Sequence, residues 1–229
     1  MRRAVDDYGM IEDGDRIAVG VSGGKDSLTL LMALAALRRF YPNKFELEAI
    51  TLDMGFEGTD FTPIADLCKE IGVNYTVVKT DIKTVVFDIR KESNPCALCA
   101  KMRKGALNEK ALEMGITKVA LGHHNEDAIE TFFLSLFYEG RLNCFSPVTY
   151  LDRKGVTLIR PLVYTPEKLI KSFAKANNLP IVKNPCPADG NTKREKMKEF
   201  VAEKYAEDKG FKERVFGAMV RGLDGWKLE

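Results

Sequence analysis

Val19-Gly20-Val21-Ser22-Gly23-Gly24-Lys25-Asp26-Ser27 is the stretch whose reading decides the fold. An apolar run from Ile17 to Val21 leads into it, and apolar residues at helical spacing follow, Leu28, Leu31, Met32, Leu34 and Ala35. The pattern predicts a strand, a glycine turn and a helix start. Adjacent glycines let the backbone take positive φ and approach an anion closely. A helix N-terminus adds unpaired N–H groups and the positive end of the dipole. With the charge of Lys25 and the hydroxyls of Ser22 and Ser27, the unit is suited to holding phosphate.

It is not the common P-loop. The pattern G-x-x-x-x-G-K-[ST] would need Gly at position 19 and Ser or Thr at 26, where this chain has Val19 and Asp26. An aspartate beside a polyphosphate is repulsive unless a magnesium ion is shared between them. The string Ser22-Gly23-Gly24-Lys25-Asp26-Ser27 is similar to the pyrophosphate loop of the N-type ATP pyrophosphatases. That resemblance implies cleavage of ATP between the α and β phosphates, with adenylation of an acceptor.

The rest of the chain fits one α/β domain with a small appendage: 229 residues, 45% hydrophobic. Thirty-five basic and 33 acidic residues leave a net charge of +2, which neither demands nor excludes nucleic acid. No apolar run approaches the roughly 18 residues of a membrane span. Asp6, Asp7, Glu12 and Asp13 break up any signal peptide, so the expected location is the cytoplasm. Five cysteines in a chain of this length point to metal or catalysis rather than a disulfide framework.

A second strand is predicted over Phe45 to Leu52, with Asp53 at its exit placed to read an adenine or ribose, or simply to make a solvated turn. Thr62 is expected to cap a helix with Pro63 in its first turn. A third strand follows over Asn74 to Lys79. Residues 81 to 94 look irregular, and a helix runs from the Cys96 region to about Met114. A fourth strand, Lys118 to Leu121, ends in Gly122-His123-His124-Asn125-Glu126-Asp127. The next helix, through Phe132, Phe133, Leu136 and Phe137, is expected to be buried. A hairpin about Asp152-Arg153-Lys154-Gly155, a helix from Thr165-Pro166-Glu167, a short strand at Ile181-Val182, a Thr192/Glu195 capping box and a final helix near Phe211 to Arg221 complete the chain. Repeated strand-helix units mean a doubly wound parallel sheet. The predicted division is a nucleotide-binding domain over 1–165 and a helical C-terminal part over 166–229. Lys193, Arg194, Lys196 and Lys198, interleaved with acids, read as a solvated face.

Cys96 and Cys99 form a Cys-x-x-Cys at a helix N-terminus, a position that lowers thiol pKa and suits a shared metal. Cys186, between Pro185 and Pro187, sits in a rigid turn. Cys68 and Cys144 read as core. The trio is compatible with a redox pair, a zinc site or an iron–sulfur cluster. Three thiolates on a [4Fe–4S] cluster would leave one iron open to carry hydrosulfide.

Taken in order, the loop, Cys96-Ala97-Leu98-Cys99 with Arg103-Lys104-Gly105, Leu121-Gly122-His123-His124, Ile159-Arg160-Pro161-Leu162 and Cys186 resemble the tRNA 2-thiocytidine synthetase (TtcA) family, within the TtcA/TtuA group of tRNA thiolases. The resemblance runs from about Arg16 to about Phe200. It implies ATP phosphates on Ser22, Gly23, Gly24, Lys25, Asp26 and Ser27, with Gly122 and His123 beside the nucleotide. It implies a [4Fe–4S] cluster on Cys96, Cys99 and Cys186, and Asp127, Lys25 and Arg103 as catalytic groups. Glu126 stands where the family has Asp. The partners implied are tRNA and a sulfur donor such as a cysteine desulfurase or free sulfide, with a homodimer as the oligomeric expectation. The alternatives are adenylation of another acceptor without sulfur chemistry, and a nucleotide-binding redox sensor.

Overall fold

The computed structural model describes residues 1–91, 95–182, 186 and 193–228. Its centre is a six-stranded sheet in the order β3-β2-β1-β4-β6-β5. The strands are β1 (Asp15–Gly20), β2 (Phe45–Asp53), β3 (Asn74–Lys79), β4 (Lys118–Ala120), β5 (Val148–Leu151) and β6 (Val156–Ile159). All neighbours pair in parallel except β5, which runs antiparallel to β6 at one edge. The connection from β1 goes to β2 on one side while β4 lies on the other. That reversal opens a crevice at the carboxyl ends of β1 and β4.

Alternation along β1 sends Ile17 and Val19 to one face and Ala18 to the other. The first face packs on α2 (Lys25–Arg38) through Leu28, Leu31 and Leu34, all fully buried. The second packs on α4 (Pro95–Glu113) through Leu107 and Ala111, with Ile50, Val119 and Leu158 from the sheet. Burying such side chains contributes roughly 1.5–3 kcal/mol each before entropy is counted.

The helices α5 (Asn125–Leu134), α6 (Glu167–Ala176), α7 (Lys193–Glu207) and α8 (Phe211–Gly222) share the first core. Ile170, Ala174, Met197, Val201 and Met219 lie in one cluster with Val19 and Leu28. Trp226 is fully buried, and its indole N–H donates to the Phe145 carbonyl (2.9 Å). The chain's start joins there too, through α1 (Arg2–Asp7) and the Tyr8 hydroxyl, which donates to the Trp226 carbonyl (3.0 Å).

Several local expectations are corrected. Thr62 opens α3 (Thr62–Glu70) from inside the helix; Phe61 is the cap residue, and Asp60 accepts the Thr62 N–H (2.8 Å). Pro166 takes the cap position of α6, one place before the first turn. Ile181-Val182 is not a strand, because Val182 donates instead to the Gly23 carbonyl (3.0 Å). Residues 84–90 form a π-helical turn closed by Lys91 at φ 46. The aromatic helix after Asp127 is regular only to Leu134, and a second π-helical turn, Ser135–Glu139, exposes Phe137. Thr192 of the expected capping box, and both prolines beside Cys186, lie outside the described residues.

Candidate active site

The phosphate loop is held in shape by its own hydroxyls. Ser22 N–H donates to Ser27 Oγ (3.1 Å), the two hydroxyls meet at 3.2 Å, and Ser27 Oγ donates to the Gly24 carbonyl (3.0 Å). Gly23 alone of the glycine pair has positive φ, +82°. Gly24 is the extended cap of α2. Gly122 comes up against this turn: a Cβ there would lie 3.0 Å from the Asp26 carbonyl carbon and the Ser27 nitrogen. Its lack of a side chain lets the β4 exit touch the start of α2.

Lys25 reaches two carboxylates, Asp26 Oδ2 (2.9 Å) and Glu167 Oε1 (3.1 Å). Burial opposes the ammonium charge, but the two acids outweigh it and the pKa is raised. Glu167 is the unforeseen partner, carried in by the first turn of α6. Among the described residues Asp26 Oδ1 is buried without a hydrogen bond, with His124 Nε2 3.7 Å away. A carboxylate oxygen left without a hydrogen bond beside a phosphate-binding turn is a donor that suits a magnesium ion.

His124 caps α5 in a reciprocal box. Its backbone N–H donates to Asp127 Oδ2 (2.8 Å), and Asp127 N–H donates to its Nδ1 (3.4 Å). The buried ring lies 3.5–3.7 Å from Asp26, Glu126 and Asp127. Burial lowers its pKa, yet those acids win and the net shift is upward. His123, one residue earlier, is pushed down to about 3, first by burial and then by the charges of Arg160 and Arg194. Its ring tilts on Phe145 (4.9 Å), and its Nδ1 has no hydrogen-bond partner among the described residues. Neighbouring histidines thus hold opposite protonation tendencies.

Glu126 reaches from His124 toward the helices behind it. Its carboxylate accepts the Glu167 N–H at the start of α6 (2.7 Å) and pairs with Lys212 of α8 (3.0 Å). Burial opposes ionisation, but His124, the Glu167 N–H and Lys212 hold the group down at about 2. Its work is to join three helices.

A cavity of about 420 Å³ opens beside the loop, between the carboxyl edge of the sheet and α4. Gly20, Val21 and Ser22 form one wall; Ile50, Leu52 and Met54 of β2 and its exit form another. The α4 face adds Ala100, Arg103, Lys104, Leu107 and Asn108, and the remaining lining includes His123, Arg160 and Arg194. Among the described residues, four cations and no carboxylate line it. Arg160 is buried, donates to the Ser146 carbonyl (2.5 Å) and Thr149 Oγ1 (3.0 Å), and lies over the Phe145 ring. Burial brings it down to about 10, and it in turn lowers Lys104, whose burial acts first.

Arg194 departs from the solvated face expected of its segment. It pairs with Asp127 Oδ1 (2.7 Å) and with buried Glu130 (3.4 Å). Burial raises the Glu130 pKa, with Arg194 pulling against it. Sequence offered no sign of this, since Arg194 and Asp127 meet only through the packing of α7 on α5. Asp53 accepts the Gly55 N–H (2.9 Å) in a turn at the β2 exit, one residue from Met54 of the lining.

Of the cysteines, Cys68 is buried, and burial pushes its thiol up to about 11. Cys144 is partly buried, donates to the Ala128 carbonyl (3.4 Å), and is raised to about 12, chiefly by burial. Cys96 is exposed, Cys99 and Cys186 half-buried. The expected lowering at a helix start does not hold for Cys99. Burial raises it, Arg103 opposes, and the charges of Cys186 and Cys96 raise it further. Cys96 and Cys186 thus lie near enough to act on the Cys99 thiol, next to Ala100 and Arg103 of the cavity. Among the described residues no three His, Cys, Asp or Glu side chains are gathered as a single metal ion would need. A four-iron cluster spreads its thiolates around a larger body, and soft thiolates are its usual donors. The donor set fits such a group.

The fold and the site define a class. A PP-loop domain model matches residues 2–205, and the chain belongs to that family. Within it, the chain is 41% identical over 220 residues to the tRNA-cytidine(32) 2-sulfurtransferase of Geobacter sulfurreducens, covering 95% of this chain and 86% of that one. To the protein of the same name from Dichelobacter nodosus it is 42% identical, covering 99% and 86%. The chain is a member of the tRNA-cytidine(32) 2-sulfurtransferase family. Among solved structures, the U34-tRNA thiolase NcsA of Methanococcus maripaludis, solved with its [4Fe-4S] cluster, shares the fold at a TM-score of 0.78 and 24% identity, over 98% of this chain and 78% of that one. Among the described residues no helix is long and apolar enough to cross a membrane.

Proposed function

We propose that this chain transfers sulfur to C2 of a tRNA cytidine, using ATP to activate the base and a cluster on Cys96, Cys99 and Cys186 to present the sulfur. One observation supports the reading: Ser22 at the start of the phosphate loop, Arg103 on the cysteine-bearing helix, and Arg194, which pairs with Asp127, line one cationic cavity. Gly23, Gly24 and Lys25 hold the ATP phosphates, and the phosphates replace Asp26 and Glu167 as partners of Lys25. Asp26 would hold a magnesium ion, which would offset the charge of the phosphates. The cytidine O2 attacks the α-phosphorus and pyrophosphate leaves, its growing charge met by Lys25. Asp127, fixed by His124 and Arg194, moves a proton at the base. Hydrosulfide then adds to C2, and AMP departs with the former carbonyl oxygen while Arg103 steadies its phosphate. When bound, the cluster would be held by Cys96, Cys99 and Cys186 and would supply soft Lewis-acid iron for a sulfide nucleophile.

Sulfide comes from free sulfide, or from the persulfide of a cysteine desulfurase after two-electron reduction by a dithiol, which leaves as the disulfide, in the cytoplasm, and the active unit is a homodimer. Residues 1–165 form the activating part, and residues 166–229 complete it with the third thiol.

The test is an oxygen-free preparation incubated with tRNA, ATP, magnesium and sulfide, followed by nucleoside mass spectrometry. Formation of 2-thiocytidine with release of AMP and pyrophosphate supports the reading. AMP release without thiolation, in protein that lacks iron and acid-labile sulfide, would replace it with adenylation of another acceptor.

A further inference from the structure

One patch outside the cavity is apolar where folding alone would hide it. The π-helical turn Ser135–Glu139 ends on Gly140 at φ 65. Such turns interrupt helices mostly at functional positions. This one presents Phe137 and Tyr138 outward, 53% and 45% exposed, and Leu142 just beyond is 71% exposed. The patch is not loose. Phe137 rests on Phe133 and Phe200, with ring centroids 5.6 Å away in each case. The Arg141 N–H is tied to the Ser135 carbonyl (3.2 Å).

Cations accompany it. Lys193 Nζ lies 4.7 Å from the centroid of Tyr138, and Arg141 follows the turn. Glu139, the acid of the turn, is engaged by the Ser135 hydroxyl (3.1 Å). The next residue after Lys193 is Arg194, which lines the cavity, so the start of α7 reaches both the patch and the site. An exposed aromatic face among cations, beside a cationic cavity, is the equipment that stacks unpaired bases. A protein-docking surface needs about 800 Å² of complementary area per partner, far more than these few side chains offer.

We propose that Phe137, Tyr138, Arg141 and Leu142 form a stacking platform for an unpaired base of the RNA substrate, adjacent to the nucleotide that enters the cavity. The proposal rests on the RNA reading above. It makes the unpaired loop, rather than a duplex stem, the feature grasped outside the cavity.

The test is fluorescence anisotropy of the full chain with a labelled RNA hairpin that has a seven-base loop, against its stem duplex as control. Tyr138→Ala should weaken hairpin binding about tenfold while Tyr138→Phe stays near wild type, because stacking needs the ring and not the hydroxyl. Arg141→Ala should weaken binding and lower the salt slope by about one. ATP affinity, measured in parallel, should be unchanged in Tyr138→Ala, which shows that the variant is folded. Wild-type affinity of Tyr138→Ala for the hairpin would overturn the platform and leave the RNA reading standing. A wild-type protein that does not prefer hairpin to duplex would overturn both. Loss of binding to a cysteine desulfurase, with hairpin binding intact, would reassign the patch to a protein partner.

Discussion

The two sides of the cavity are built in opposite ways. The phosphate side is local: six consecutive residues, Ser22 to Ser27, stapled by hydrogen bonds within the same turn. The side proposed to carry sulfur is assembled from afar, with Cys99 and Arg103 on α4, Arg160 after β6, and Cys186 and Arg194 from near or within α7. A local site keeps its geometry through short-range contacts. An assembled one depends on the packing of every helix that delivers a group, so the two sides should fail separately.

The largest effect should come from Lys25→Ala. Pyrophosphate release should fall by at least about a hundredfold, the scale of removing one electrostatic contact to a developing charge. Release at the wild-type rate would end the assignment of the loop. Next, Cys99→Ala should abolish thiolation and iron loading while ATP affinity, measured by calorimetry, changes less than about threefold. Loss of ATP binding in that variant would show that the two sides are one unit after all.

Gly122→Ala tests where the sides touch. A methyl 3.0 Å from the backbone of Asp26 and Ser27 meets atoms that cannot swing aside. Thermal denaturation should show a loss of about 1–3 kcal/mol, the range for overpacking.

Glu126 gives a pH test of the assembled side. Its carboxyl sits at about 2, below the ordinary 4.5. A depressed acid stabilises the fold above its unfolded pKa and loses that contribution as pH falls toward the folded one. The window is therefore from about 4.5 down to about 2, and the contribution is on the order of 3 kcal/mol. Glu126→Gln should flatten the acid limb of the stability curve there, and an unchanged limb would remove Glu126 as the tie among α5, α6 and α8. The smallest effect belongs to Asp53→Asn, which keeps the acceptor for Gly55 N–H. Nucleotide affinity should change less than about threefold, and a larger loss would make the charge of Asp53 a ligand to the ribose.

The same contrast explains what could be read from the residues alone. Strand, glycine turn and helix were legible at Ser22 to Ser27 because the whole device is contiguous. The parallel sheet followed from the alternation of strands and helices. Glu167 on Lys25 and Arg194 on Asp127 were not legible, since each joins segments far apart in the chain and each looks like an ordinary surface charge in a helix. Cys99 went the other way: its helix-start position promised a lowered pKa, and burial reversed the sign. The exposed Phe137 was missed because helical spacing in sequence does not announce a π-helical turn.

The hydrogen bond from Val182 to the carbonyl of Gly23 is a seam between the two halves of the proposed site. A Cβ at Gly23 would lie 3.0 Å from the Cβ of Val182, so the glycine is pressed by a residue from far along the chain. At this one point the locally built turn leans on the segment that leads to Cys186.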